Sequence, residues 1–268
     1  MEAYVNDKLM NKYNRAVVAL ILFVILTSFS YQKVTTIYLI GDSTVADYSL
    51  ENDYDSKRYP LVGWGQVFQP FFVSDSLKHV EHLLGKVDYV KIDDRAKGGR
   101  STRTFFQEGR WSAIYKTLQK GDVVMMQFGH NDGAENKPER YVNIDGYKEF
   151  LRLFVNQTRQ KGALPILLTP VARNYPWKEG RLHNVHGEYP QAVKDIAAEM
   201  NVKLIDLNKF SMLHFSQKGQ AYVTENYFMN LPPGKFQAYP EGQKDNTHFQ
   251  IAGGKAIARL VFNAMKEL

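Results

Sequence analysis

The chain of 268 residues contains no cysteine. That excludes disulfides, thiolate metal sites, a cysteine nucleophile and lipoprotein-type cysteine acylation. It also lacks a long Lys/Arg run: its net charge of +6 is scattered, so the excess of bases suits anionic partners in general and does not select nucleic acid. No GxSxG nucleophile elbow is present. Gly98-Gly99 lacks the glycine spacing and the following Lys-Ser pattern of a phosphate cradle. After residue 31 there is no internal repeat, low-complexity tract or linker. A composition of 44% hydrophobic and 23% charged residues fits one globular domain large enough to bury a core without staples.

The N-terminus is different in kind. Lys8, Lys12 and Arg15 precede the apolar run "AVVALILFVIL" at residues 16–26, and the small residues Ser28 and Ser30 follow. This order predicts a secretory signal peptide over residues 1–30, cleaved after about Ser30. An uncleaved anchor is the alternative, although eleven apolar residues are short for a bilayer span. Residues 1–30 carry three bases and two acids (Glu2, Asp7), so the remainder keeps +5 of the +6. The expectation is an exported protein, periplasmic or secreted, with residues 31–268 as its one domain.

Apolar runs at 35–41, 87–96, 122–129, 163–171 and 202–207 read as strands. Segments 63–72, 108–119, 145–162, 189–200 and 250–268 read as helices between and after them. Such alternation predicts a parallel sheet covered on both faces. In that architecture ligands bind outside the carboxyl ends of the strands. Ser43 follows the first strand, "KGGRS" the second and "GHND" the third, while "DNTH" precedes the last helix. Four polar clusters therefore converge on one edge.

A serine hydroxyl needs a base within hydrogen-bond reach, and the base needs an orienting group. His248 is the candidate base and Asp245, three residues earlier, the candidate orienter. Acyl transfer also needs fixed donors around a developing oxyanion. The backbone N–H groups of Ser43 and Gly99 and the side-chain amide of Asn131 are the candidates.

With these blocks in order, "YLIGDSTVA", "GWGQ", "AKGGRSTRTF", "QFGHND" and "DNTHFQIAGG" resemble the SGNH (GDSL-like) hydrolases, and within them the rhamnogalacturonan acetylesterase branch. The resemblance covers residues 31–268. It implies a three-layer α/β/α flavodoxin-like fold with five parallel strands. It implies Ser43 as nucleophile, Asp245 and His248 as the remaining pair, and Ser43, Gly99 and Asn131 as oxyanion donors. It implies removal of acetyl groups from pectic polysaccharide, with no cofactor and no metal. An SGNH lipase, thioesterase or phospholipase acting on acyl-chain esters is the alternative. All five positions are filled, which argues against a binding module that has lost catalysis.

Other residues carry weaker expectations. Asp42, His130 and Asp132 are expected to brace their turns. Arg100 either holds the glycine turn or meets a uronate carboxylate. Trp64 is a candidate sugar platform, with a core or wall tryptophan as the competing role. His183 and His186 are expected on an exposed loop that lines the substrate groove; no third ligand makes them a metal site. The 171–190 and 220–244 segments are expected to tune substrate choice from the site edge.

Overall fold

The computed structural model describes Met10 and residues 32–268. The expected signal peptide or anchor lies outside the described residues. Among the described residues no helix is long and apolar enough to cross a membrane.

The five expected strands are present: β1 (Val34–Gly41), β2 (Tyr89–Asp94), β3 (Val123–Gln127), β4 (Leu164–Leu168) and β5 (Lys203–Ile205). All pair in parallel, in the order β2-β1-β3-β4-β5. This is the flavodoxin-like order, which reverses between β1 and β3 and opens a crevice beyond their carboxyl ends. All five residues of β3 are buried, as its unbroken apolar run requires of a central strand.

Alternation along the strands divides the core in two. Ile37, Leu39, Val123 and Met125 face one layer, with Phe68, Phe228, Phe249 and Ile257. Tyr38, Ile40, Val124 and Met126 face the other, with Trp111, Tyr147, Phe154 and Ile196. Helices α1 (Thr102–Gln107), α2 (Arg110–Thr117), α3 (Ile144–Gln160) and α4 (Tyr189–Glu199) belong to the second layer. In α3 the buried residues Tyr147, Leu151, Phe154, Val155 and Thr158 recur at helical spacing, so one stripe meets the sheet. Helices α5 (Leu207–Lys218), α6 (Gln220–Asn226) and α7 (Ile251–Met265) supply the first layer.

Two expectations change. Residues 63–72 form two 3-10 turns, Gly65–Val67 and Gln69–Phe71, because Pro70 interrupts any longer helix. Helices also stand where none was expected: α1, ahead of the expected 108–119 helix, and α5 and α6, after β5.

Candidate active site

Gly41 ends β1 where no side chain fits. A Cβ there would lie 2.5 Å from the Gln127 carbonyl oxygen on β3. The chain then turns: the Asp42 carbonyl accepts the N–H groups of Val45 (3.2 Å) and Ala46 (3.1 Å). Asp42 Oδ1 accepts from Thr44 N (2.9 Å) and Thr44 Oγ1 (2.8 Å), which is the expected bracing role. Burial raises the Asp42 carboxyl above its ordinary pKa, although the Thr44 hydrogen bonds oppose this. Gln127 Nε2 donates to Thr44 Oγ1 (2.6 Å), and the Tyr48 hydroxyl donates to the Ser43 carbonyl (3.0 Å). The turn around Ser43 is thus fixed from both sides.

Ser43 Oγ lies 2.8 Å from His248 Nε2. His248 Nδ1 lies 2.7 Å from Asp245 Oδ2. Asp245 Oδ1 accepts the backbone N–H groups of Thr247 (2.7 Å) and His248 (3.1 Å). Burial pushes the Asp245 carboxyl up, but the His248 ring and these N–H donors outweigh it, and the net shift is downward. The carboxylate is therefore ionised wherever an imidazole ordinarily titrates.

The segment carrying the pair is held by parts of the chain far away in sequence. Met229 N donates to the His248 carbonyl (2.9 Å), and Asp245 N donates to the Met229 carbonyl (3.2 Å). Asn174 N donates to the Asn246 carbonyl (2.8 Å). The Asn174 side chain donates to Asn246 Oδ1 (2.9 Å) and Thr224 Oγ1 (2.7 Å), and Asn230 Nδ2 donates to the same Asn246 oxygen (2.9 Å). Parts of the 171–190 and 220–244 segments, expected at the site edge, do line the cleft through Arg173, Met229, Tyr239 and Gln243, and other parts of both also clamp the acid–base pair.

Gly99 and Asn131 line the same cleft of about 810 Å³ as Ser43, Asp245 and His248. Gly99 has φ +81°, a conformation that an L side chain resists. Asn131 Nδ2 donates one hydrogen to the Arg100 carbonyl (2.9 Å), which leaves its second for a ligand. Asp132 joins the two loops. Its Oδ1 accepts from Thr102 N (2.9 Å) and Oγ1 (2.6 Å), and its Oδ2 from Gly129 N (3.1 Å). Burial raises its pKa to about 7 against those hydrogen bonds.

His130 is not placed to act on Ser43. Its Nδ1 accepts from Arg173 Nε (3.3 Å), and its ring meets His186 edge-on at 4.5 Å. Burial, then the Arg173 charge, holds it well below an ordinary histidine pKa, hence neutral.

Three expected substrate contacts are corrected. Trp64 is 1% exposed and donates to Gln127 Oε1 (2.9 Å), so no sugar can stack on it. His186 is buried beneath the site, bonded to the Val171 carbonyl (2.9 Å). His183 is exposed beside the short strand Arg181–Leu182 and does not line the cleft. The expected exposed loop pair is therefore split, one ring inward and the other away from the cleft. Arg100 does line the cleft. Its Nε bonds both Glu108 oxygens at 3.1 Å and its Nη1 donates to the Gly98 carbonyl (2.7 Å), so it holds the glycine turn. Among the described residues no three His, Asp or Glu side chains gather as a metal site.

The arrangement is a hydroxyl, an imidazole and a carboxylate in series, in a cleft that Gly99 and Asn131 also line. It is competent for acyl transfer through a covalent serine ester. A model of GDSL-like lipases and acylhydrolases matches residues 37–261. The probable rhamnogalacturonan acetylesterase YesY of Bacillus subtilis is 39% identical over 233 residues, 87% of this chain and 93% of its own. Rhamnogalacturonan acetylesterase RhgT of the same organism is 35% identical over 237 residues, 88% and 92% respectively. The crystal structure of Bacillus subtilis YxiM superposes with a TM-score of 0.69 at 29% identity. It matches 87% of this chain, which spans only 56% of that longer one.

Proposed function

The chain belongs to the GDSL-like lipase/acylhydrolase family, and from that premise we propose that it is an exported serine esterase that removes acetyl groups from rhamnogalacturonan-type pectic polysaccharide. The observation that carries the chemistry is the unbroken series Ser43 Oγ, His248 and Asp245 at 2.8 and 2.7 Å. Ser43 Oγ attacks the acetyl carbonyl and passes its proton to His248 Nε2. Asp245 holds the Nδ1 proton in place and balances the imidazolium. The oxyanion receives N–H groups from Ser43, Gly99 and Asn131, each worth roughly 3 kcal/mol of barrier. Collapse expels the sugar oxygen, which takes the proton from His248. Water, deprotonated by His248, then attacks acetyl-Ser43 and releases acetate. No step calls for a cofactor.

The acetylesterase names of the two relatives support the substrate class. The lining supports it against the lipase, thioesterase or phospholipase alternative: an acyl chain needs an apolar groove, and this cleft presents Arg58, Lys97, Arg100, Lys137, Arg140 and Arg173. The basic-then-apolar N-terminal pattern supports export. The test is hydrolysis of aryl esters by the wild type and Ser43→Ala. Activity is expected on acetate, falling steeply by octanoate, and absent in the variant. Equal rates in the two proteins would refute the mechanism, and a preference for octanoate would refute the substrate class. Acetate release from acetylated rhamnogalacturonan, homogalacturonan and xylan then ranks the polysaccharides.

A further inference from the structure

Six cationic side chains line the cleft, and four are already committed. Arg58 and Lys97 both pair with Glu51, at 3.0 and 3.1 Å. Arg100 pairs with Glu108 at 3.1 Å. Arg173 donates to the His130 ring, the His130 carbonyl and the Tyr175 hydroxyl. Lys137 and Arg140 form no ion pair among the described residues, and Arg140 Nε is buried with no hydrogen-bond partner.

A buried guanidinium nitrogen without a partner is costly, and a folded chain ordinarily satisfies it. Here the arginine is also held in position. Its loop folds on itself through Lys137 N to the Ala134 carbonyl (2.8 Å), Arg140 N to the Lys137 carbonyl (3.0 Å) and Tyr141 N to the same oxygen (2.9 Å). Val142 N to the Asp132 carbonyl (3.0 Å) closes the loop, and Arg103 donates to the Pro138 carbonyl (2.6 Å). Arg140 Nη1 ends up 3.6 Å from where a Cβ on Gly99 would stand. Arg140 thus lines the cleft with Nη1 beside Gly99, and no carboxylate of the described residues pairs with it.

We propose that Arg140, assisted by Lys137, forms a carboxylate subsite that receives a uronate carboxylate of the substrate chain close to the scissile ester. The inference rests on the esterase reading above and narrows it: esters on anionic polysaccharide are selected over esters on neutral ones. A planar fork matches a carboxylate through two parallel hydrogen bonds, and the exposed Lys137 adds a point charge. Arg100, expected either to hold the glycine turn or to meet a uronate, is already bonded to Glu108 and the Gly98 carbonyl.

The test compares an acetylated, uronate-containing oligosaccharide with the same compound after its carboxyls are reduced to alcohols. The ratio of kcat/KM for the two substrates is measured for wild type, Arg140→Gln and Lys137→Gln. The ratio cancels any loss of folded protein. Wild type is expected to favour the anionic substrate at least about tenfold, the range of a charge-assisted hydrogen bond. Arg140→Gln is expected to narrow that ratio about tenfold, mainly through KM, and Lys137→Gln about threefold. Arg140→Lys restores part of it. A wild type without preference, or a ratio unchanged in Arg140→Gln, overturns the proposal. A loss equal on both substrates is such an unchanged ratio and would assign Arg140 to the oxyanion instead. Failure of the esterase reading shows separately, as equal aryl acetate rates in wild type and Ser43→Ala.

Discussion

Asp245→Asn tests the acid–base pair most sharply, because the structure dictates which way the amide must turn. The native carboxylate accepts three hydrogen bonds: His248 Nδ1–H on Oδ2, and the N–H groups of Thr247 and His248 on Oδ1. Asparagine has one oxygen. If that oxygen keeps the two backbone donors, its NH2 group faces Nδ1 and forces the ring proton onto Nε2. If the amide flips, the NH2 group confronts two N–H donors and both of those bonds are lost, whereas the first arrangement keeps them and donates to Nδ1. At roughly 1 kcal/mol or more per bond, the first arrangement prevails. The proton then sits on the nitrogen 2.8 Å from Ser43 Oγ, where it blocks proton transfer. Mis-set tautomers of this kind cost about 10⁴ in kcat, or about 5.5 kcal/mol of barrier. KM is expected to hold within a few-fold. Thermal melting is expected to fall by only about 2–4 °C, since the turn keeps both backbone bonds. Initial rates on an aryl acetate near neutral pH, paired with a melting curve, measure both. A folded variant whose kcat stays within tenfold of wild type would refute the reasoning.

Asp132 makes stability pH-dependent. Its native pKa of about 7 exceeds the ordinary 3.8, so between these values the native state holds a proton that the unfolded chain has released. The stability it contributes is full below 3.8 and lost as the pH rises through about 7, up to ~4 kcal/mol. Urea unfolding of Asp132→Asn at pH 5 and 8 is expected to show a flatter pH dependence than wild type; identical slopes would contradict this. Trp64→Phe leaves Gln127 Oε1 without its donor and is expected to cost about 1–3 kcal/mol of stability, with KM for polysaccharide within twofold. A fivefold rise in KM at unchanged stability would reinstate Trp64 as a sugar platform. Asn174→Ala releases Asn246 and Thr224 and is expected to lower kcat about tenfold with little change in KM, by loosening the segment that carries His248. An unchanged kcat would show that Asn174 does not position it.

What could be read in the sequence follows from what is local. The strands β1, β3 and β4 announce themselves because each is an apolar run that is largely buried, β3 completely, whereas the edge strand β2 buries only Val90. Helix α5 does not announce itself: Leu207 and Phe215 are buried while Phe210 and Leu213 are exposed, so apolar residues on both sides blur the helical period. Trp64 looked like a platform because an aromatic beside glycines near a cleft has the right chemistry. The hydrogen bond that buries it comes from Gln127, 63 positions away. His183 and His186 looked like an exposed loop pair because nothing local shows that one ring packs inward, on His130 and the Val171 carbonyl.

The same distinction explains the site. Ser43 and Asn131 could be picked out because each stands in a short block just after a strand end, and Asp245 and His248 because theirs stands just before the last helix. Their supports could not be. The acid–base segment has almost no regular structure of its own: it lies just before the two-residue strand Phe249–Gln250 and α7. Its position therefore comes from Asn174, Met229 and Asn230, through bonds that span 15 to 72 positions of the chain. A hydrogen-bond pair of that separation leaves no periodic trace. Arg140 stayed invisible for a related reason. Nothing in "NKPERY" distinguishes an arginine that meets solvent from one whose neighbours withhold every carboxylate, until the folded loop sets it beside Gly99.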